Sequence, residues 1–151
     1  MENLNYYHAT ENDIPFITQV YNENLEALHG VVRDEAVWEK LLRDKSSTYY
    51  IVSADMPVAW FRTEVENGQL WLGMLQVKPA YQRKGIGKYI LGVFEAMARE
   101  SGFQSIGIHT TNDNLPAQAL YEGAGYHLTE IGPCTTADGI ERIGHTYEKT
   151  L

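Results

Sequence analysis

The residues best suited to chemistry sit together at Gln82-Arg83-Lys84-Gly85-Ile86-Gly87-Lys88. An apolar run ending in Leu75-Gln76-Val77 precedes them, and an amphipathic run begins at Gly85. The glycines and cations therefore fall where a strand gives way to a helix. A helix N-terminus exposes N–H groups without intrahelical partners and carries about half a positive charge. Glycine lets an anion come close to those N–H groups. Arg83, Lys84 and Lys88 add side-chain cations. The combination suits a pyrophosphate; the competing reading is a helix cap with ordinary surface lysines. Two other glycine motifs do not fit. The dinucleotide fingerprint needs a third glycine where Ile90 stands, and the phosphate loop of nucleotide hydrolases needs Ser or Thr where Tyr89 follows Lys88.

Charge by position strengthens the pyrophosphate reading. The stretch from Asn67 to Phe94 contains no Asp or Glu and carries +4, in a 151-residue chain of formal charge −8, which leaves −12 elsewhere. An acidic total argues against general binding to nucleic acid or an anionic membrane surface and agrees with cationic partners such as amines. Cys134 is the only cysteine, so no intramolecular disulfide forms and no metal site is expected. The first residues, Met1-Glu-Asn-Leu-Asn5, lack the apolar segment of a secretory signal. No apolar run approaches the ~18 residues of a membrane helix. These features lead us to expect a cytoplasmic protein with one domain over residues 1–151.

The elements that position this segment can be read from periodicity. Thr10 and Asp13 suggest a capped helix start, with Ile14, Ile17, Val20, Tyr21, Leu25 and Leu28 at helical spacing up to Gly30. Asp34 caps a second expected helix with Val37, Trp38, Leu41 and Leu42 on its inner face. Strands are expected over 48–54, 58–65 and 69–77, with a turn at Asp55-Met-Pro57 and a hairpin at Asn67-Gly68. A helix from Gly85 to about Ser101, a strand over 105–110 and a helix opened by Pro116 follow. Two last strands, 126–131 and 143–149, are joined by a turn-rich segment, Pro133–Gly139. The strand–helix–strand unit over about 69–110 implies one parallel pair among antiparallel neighbours.

The motif Gln82-x-x-Gly85-x-Gly87, preceded by Leu75-Gln-Val77-Lys-Pro79, resembles the acetyl-CoA motif of the GCN5-related N-acetyltransferases. A second block, Asn114-Leu-Pro-Ala117-Gln-Ala-Leu120-Tyr121-Glu-Gly-Ala-Gly125-Tyr126, resembles that family's Asn…Ala…Leu-Tyr…Gly-Phe block, with Tyr for the last Phe. The resemblance is specific over about residues 70–130 and topological before that. It implies a mixed α/β (α+β) fold: a central, twisted, mostly antiparallel sheet of six to seven strands flanked by about four helices.

The resemblance also implies a reaction, in which an amine attacks the acetyl thioester of acetyl-CoA directly in a ternary complex. Leu75, Gln76 and Val77 would pair with the pantetheine arm, and a strand N–H there would polarise the thioester carbonyl. Arg83, Lys84, Gly85, Ile86, Gly87 and Lys88 would take the pyrophosphate, Gln82 would belong to the same cofactor site, and Asn114 and Ala117 would lie beside the pantetheine. Tyr121 would be the acid that protonates the departing thiolate. Partners are then acetyl-CoA and a primary amine, with the protein a monomer or homodimer. The alternative is a non-catalytic acyl-CoA-binding sensor on the same fold.

The base departs from the family pattern. Histone-acetylating relatives carry Glu six residues before the strand valine, where Trp71 stands here. Other relatives, including ribosomal-protein N-terminal acetyltransferases, carry Glu twelve residues before the tyrosine, where His109 stands. His109 alternates with Ile106 and Ile108, so it faces away from the apolar set. An imidazole suits proton removal near neutral pH. The competing role for His109 is a structural one, and Glu64 is a second candidate base. His29 and His145 lie where relatives place the acceptor; His8 and His127 read as structural.

Overall fold

The computed structural model describes residues 3–151. Its strands are β1 (Asn5–His8), β2 (Ser47–Ala54), β3 (Met56–Glu66), β4 (Gln69–Val77), β5 (Ser105–Thr111), β6 (His127–Thr135) and β7 (Glu141–Thr150). The helices are α1 (Ile14–Glu23), α2 (Leu25–Leu28), α3 (Glu35–Arg43), α4 (Ile86–Glu100) and α5 (Leu115–Gly123). All seven strands join one sheet in the order β1-β2-β3-β4-β5-β7-β6, and only β4 and β5 pair in parallel. The expected mixed, mostly antiparallel architecture is what forms.

Each face of the sheet has its own core. On one face Ile90, Leu91 and Phe94 of α4 and Tyr121 of α5 pack against Ile106, Ile108 and Tyr147. On the other, Ile17 and Val20 of α1 and Trp38 of α3 cover Ile51 and Trp60. Trp38 is fully buried and meets Tyr21, Trp60 and Tyr49 edge-on, with ring centroids 5.1, 5.3 and 6.2 Å away. Among the described residues, no helix is long and apolar enough to cross a membrane.

Three expected boundaries are corrected. The first helix is not continuous to Gly30. Thr10 and Asp13 do form a reciprocal cap, but on a single tight turn, Glu11–Asp13, and the helix then breaks at Asn24. The break has a tertiary cause: the Asn24 side-chain amide donates to the Val77 carbonyl and to Gln76 Oε1 on β4, at 3.0 and 3.1 Å. Second, Pro133 does not open a loop, because β6 runs on to Thr135 and Pro133 lies opposite Ile143 of β7. β6 is the edge strand, where a missing N–H costs no ladder bond. Third, the Asp55–Pro57 turn is tighter than expected: Asp55 alone takes the left-handed conformation, at φ +70°, and β3 starts at Met56.

The α3 cap is as expected, with Asp34 Oδ1 accepting from the Val37 N–H at 3.2 Å. Val37 itself is 37% exposed and is not on the inner face. Asp34→Ala should destabilise the protein by about 1 kcal/mol, read as a lower denaturant midpoint at unchanged slope. Acceptor turnover should stay as it was.

Candidate active site

β4 and β5 pair only from Leu70 to Leu72 and from Ile106 to Ile108. Beyond those residues each strand keeps its outer neighbour: β4 stays on β3 as far as Val77, and β5 stays on β7 as far as Thr111. The sheet therefore splits in the middle. A cleft of about 910 Å³ occupies the split, lined by Leu75, Val77, Gly87, His109, Asn114 and Tyr121, among others. Strand backbone that ladders on one side only retains donors and acceptors for an extended ligand.

The motif segment closes one end of this cleft. Arg83 and Gly85 both take the left-handed conformation, at φ +63° and +83°, and turn the chain sharply into α4. The first N–H of that helix to find a backbone acceptor is that of Tyr89, on the Gly85 carbonyl at 3.0 Å. The N–H groups of Ile86 and Gly87 head the helix, where an anion would meet them. Gly87 has a second purpose: a Cβ there would stand 3.0 Å from Leu120 Cδ2, so glycine lets α4 approach α5. The Lys84 ammonium lies over the Tyr81 ring, 5.7 Å from its centroid.

Gln82 also lines the cleft. Its side-chain amide donates to Asn24 Oδ1 and to the Val77 carbonyl, both at 3.1 Å. Together with Gln76, which is 4% exposed, it ties the α1–α2 break to the end of β4. Asn24 also lines the cleft. The sequence reading missed it; the available signal was a poor helix former in the middle of an otherwise periodic helix.

At the other side, Asn114 caps α5 by accepting from the Ala117 N–H at 3.3 Å. Its amide nitrogen has no partner among the described residues and remains a donor beside the cleft. Tyr121 follows two turns later on the same helix. It is 7% exposed, and its ring meets Tyr147 and Tyr126 at 5.8 and 6.2 Å between centroids. Burial pushes its hydroxyl up to about 12, so it holds its proton across the physiological range. His109 is exposed on β5, its Nδ1 3.0 Å from Thr146 Oγ1 of β7. Its ring stacks on Trp71, with centroids 4.6 Å apart and planes 7° apart. Glu64 stands opposite Trp71 on β3 and faces Arg62 at 3.8 Å.

Residues 14–126 match the family described as the acetyltransferase (GNAT) family. The chain belongs to that family. GCN5-related N-acetyltransferase 4, chloroplastic, of Arabidopsis thaliana is 33% identical over 64 residues, which is 42% of this chain but only 22% of that protein. The chain thus matches about a fifth of this relative's length. Solved structures share the fold end to end. A Salmonella typhimurium acetyl transferase that modifies the N-terminal serine of 50S ribosomal protein L7/L12 superposes with a TM-score of 0.85 at 15% identity, covering 100% of this chain and 96% of that one. The Salmonella typhimurium protein yncA, solved with its cofactor acetyl-CoA, gives 0.77 at 16% identity, covering 98% and 94%.

Around the cleft of this GNAT chain, His29 joins three segments. Its Nε2 is 2.7 Å from Asp113 Oδ2, in the loop after β5, and its carbonyl accepts from the Asp138 N–H in the β6–β7 turn. The Thr111 hydroxyl, and then His29, hold the Asp113 carboxyl below the usual carboxylate range. His145 lines the cleft, and its buried Nδ1 has no hydrogen-bond partner among the described residues. His8 packs on Tyr50, and His127 is exposed at the start of β6. Among the described residues, no three His, Cys, Asp or Glu side chains gather as metal ligands would.

The β6–β7 turn has its own acid sensitivity. The Thr136 hydroxyl and then the Arg142 guanidinium hold the Asp138 carboxyl down to about 2. A carboxylate depressed by folding stabilises the fold above its unfolded value of 3.8 and loses that contribution as pH falls through about 2. The turn should therefore loosen between about pH 4 and pH 2, seen as faster amide exchange at Gly139 and Ile140. In Asp138→Asn that pH dependence should be absent.

Proposed function

We propose that this protein is an acetyl-CoA-dependent N-acetyltransferase whose acceptor is a primary amine, attacking directly within a ternary complex. One observation carries the reading. The split between β4 and β5 brings half-paired strand backbone, a cation-rich helix N-terminus and a buried tyrosine into one cleft. Bound acetyl-CoA supplies a thioester, an acyl group on a good leaving thiolate.

The rest of the chemistry falls to the chain. Leu75, Gln76 and Val77 offer backbone to the pantetheine arm, and Asn114 adds its amide, with Ala117 beside it. Arg83, Lys84 and Lys88, with the N–H groups over Gly85, Ile86 and Gly87, take the pyrophosphate. Gln82 serves that site by holding the loop to Val77 rather than by touching phosphate. An ordinary alkylamine, with a pKa near 10, arrives mostly protonated. His109 removes that proton, directly or through water. Tyr121 keeps its own until the thiolate leaves, then donates it.

The acceptor is cationic and either a small molecule or a peptide amine. The acidic surplus outside the cofactor segment steers cations inward. The neighbour that modifies an N-terminal serine makes peptide α-amines a natural first test. The test is thiol release from acetyl-CoA over a panel of small amines and N-terminal peptides. Turnover with at least one amine supports the reading. No turnover with any amine, together with tight CoA binding, would instead support the non-catalytic sensor.

A further inference from the structure

We propose that Trp71 is a positioning residue for His109, and that Gly107 is glycine so that Trp71 can take this place. The inference rests on the reading of His109 as the base. Trp71, Gly107 and Glu148 are register partners on β4, β5 and β7, so their side chains share one face of the sheet. His109, two residues beyond Gly107, shares that face. The Trp71 Nε1–H donates to the Glu66 carbonyl at 3.3 Å, which fixes one edge of the indole. The opposite edge lies flat on β5. A Cβ at Gly107 would sit 2.6 Å from Trp71 Cε3 and 2.7 Å from Cη2, and closer still to Cζ3. No side chain larger than hydrogen fits there while the indole stays.

The consequence falls on His109. An exposed histidine on a strand ordinarily samples several rotamers. Here one ring face is covered by a parallel indole 4.6 Å away, and Nδ1 is held by Thr146 Oγ1 at 3.0 Å. Those two contacts define both the plane of the imidazole and its rotation within the plane. Nε2, without a partner among the described residues, is the nitrogen left for the cleft that His109 lines. Holding a base in one orientation is worth much in rate, because small misplacements of reacting groups are costly. The charged or titratable groups on the same face include Arg62, Glu64 and Glu66 of β3, Arg142 and Glu148 of β7, and His127 and Glu130 of β6. Glu148 is engaged by the Gln69 amide at 3.3 Å and Arg62 faces Glu64.

The test compares Trp71→Ala, Trp71→Phe and Gly107→Ala, each alone and in a His109→Ala background, with acetyl-CoA and an amine that the wild type accepts. Trp71→Ala and Gly107→Ala should each lower kcat/KM for the amine, by up to about 100-fold, with KM for acetyl-CoA unchanged. Trp71→Phe, which keeps a flat ring, should recover most of the loss. In the His109→Ala background none of the three should lower the rate further. Proton NMR gives a readout independent of turnover: the His109 ring signals, shifted upfield by the indole, should move toward ordinary positions in Trp71→Ala and Gly107→Ala but not in His109-competent Trp71→Phe. Losses that persist undiminished in the His109→Ala background would overturn the positioning role, as would unmoved His109 signals in Trp71→Ala. Should His109→Ala itself leave turnover and its pH dependence intact, the base reading fails, and the positioning role falls with it.

Discussion

Tyr121→Phe is expected to lower turnover by about 10²–10⁴-fold, the usual contribution of a positioned acid, while leaving the affinity for CoA nearly unchanged. The substitution removes one oxygen and nothing else. No hydrogen bond to the Tyr121 hydroxyl is found among the described residues, and the ring contacts to Tyr147 and Tyr126 survive in Phe. A thermal melt should therefore scarcely shift. The pH profile is a second check. With the hydroxyl raised to about 12 by burial, Tyr121 stays protonated throughout any practical assay. An alkaline limb below about pH 10 then belongs to another group and should persist, at lower amplitude, in Tyr121→Phe. Unchanged turnover would remove Tyr121 from the mechanism.

What was legible in the sequence, and what was not, follows from the range of the interactions. The Asn67-Gly68 hairpin was legible because turn chemistry is local, and both residues do take positive φ, +53° and +73°. The entry into α4 was legible because glycine, cations and a helix start sit within seven residues. The break at Asn24 was not. Its cause is a pair of hydrogen bonds to β4, more than fifty residues away, and helical spacing simply continues through it. The side-chain partners of Gln82 were out of reach for the same reason: its amide donates to Asn24 and Val77, which no local spacing brings near it. The stacking of Trp71 on His109 was also beyond reach. Only the parallel β4–β5 register brings the two strands together, and the slot at Gly107 has meaning only once the indole lies in it. Spacing did reveal that neither position where relatives carry glutamate has one here. It could not reveal that the two replacements touch.

That contact shapes the second large effect. His109→Ala should lower kcat/KM at neutral pH by about 10²–10⁴-fold and change the shape of the rate profile. The variant has a further signature. Without a base only amine that is already neutral can attack, and below its pKa near 10 that fraction rises about tenfold per pH unit. The His109→Ala rate should therefore climb steadily with pH and approach the wild type near pH 10, where the amine no longer needs help. Added imidazole should restore part of the loss, since removing the ring leaves its space on the exposed face of Trp71. A variant that kept the wild-type acidic limb would exclude His109 as the base and direct attention to Glu64, which stands on the neighbouring strand opposite Trp71. The alkaline convergence decides between a proton-transfer role and a structural one. A histidine that only braced β5 against β7 through Thr146 would cost the same factor at every pH, because strand packing does not depend on the protonation state of the acceptor amine.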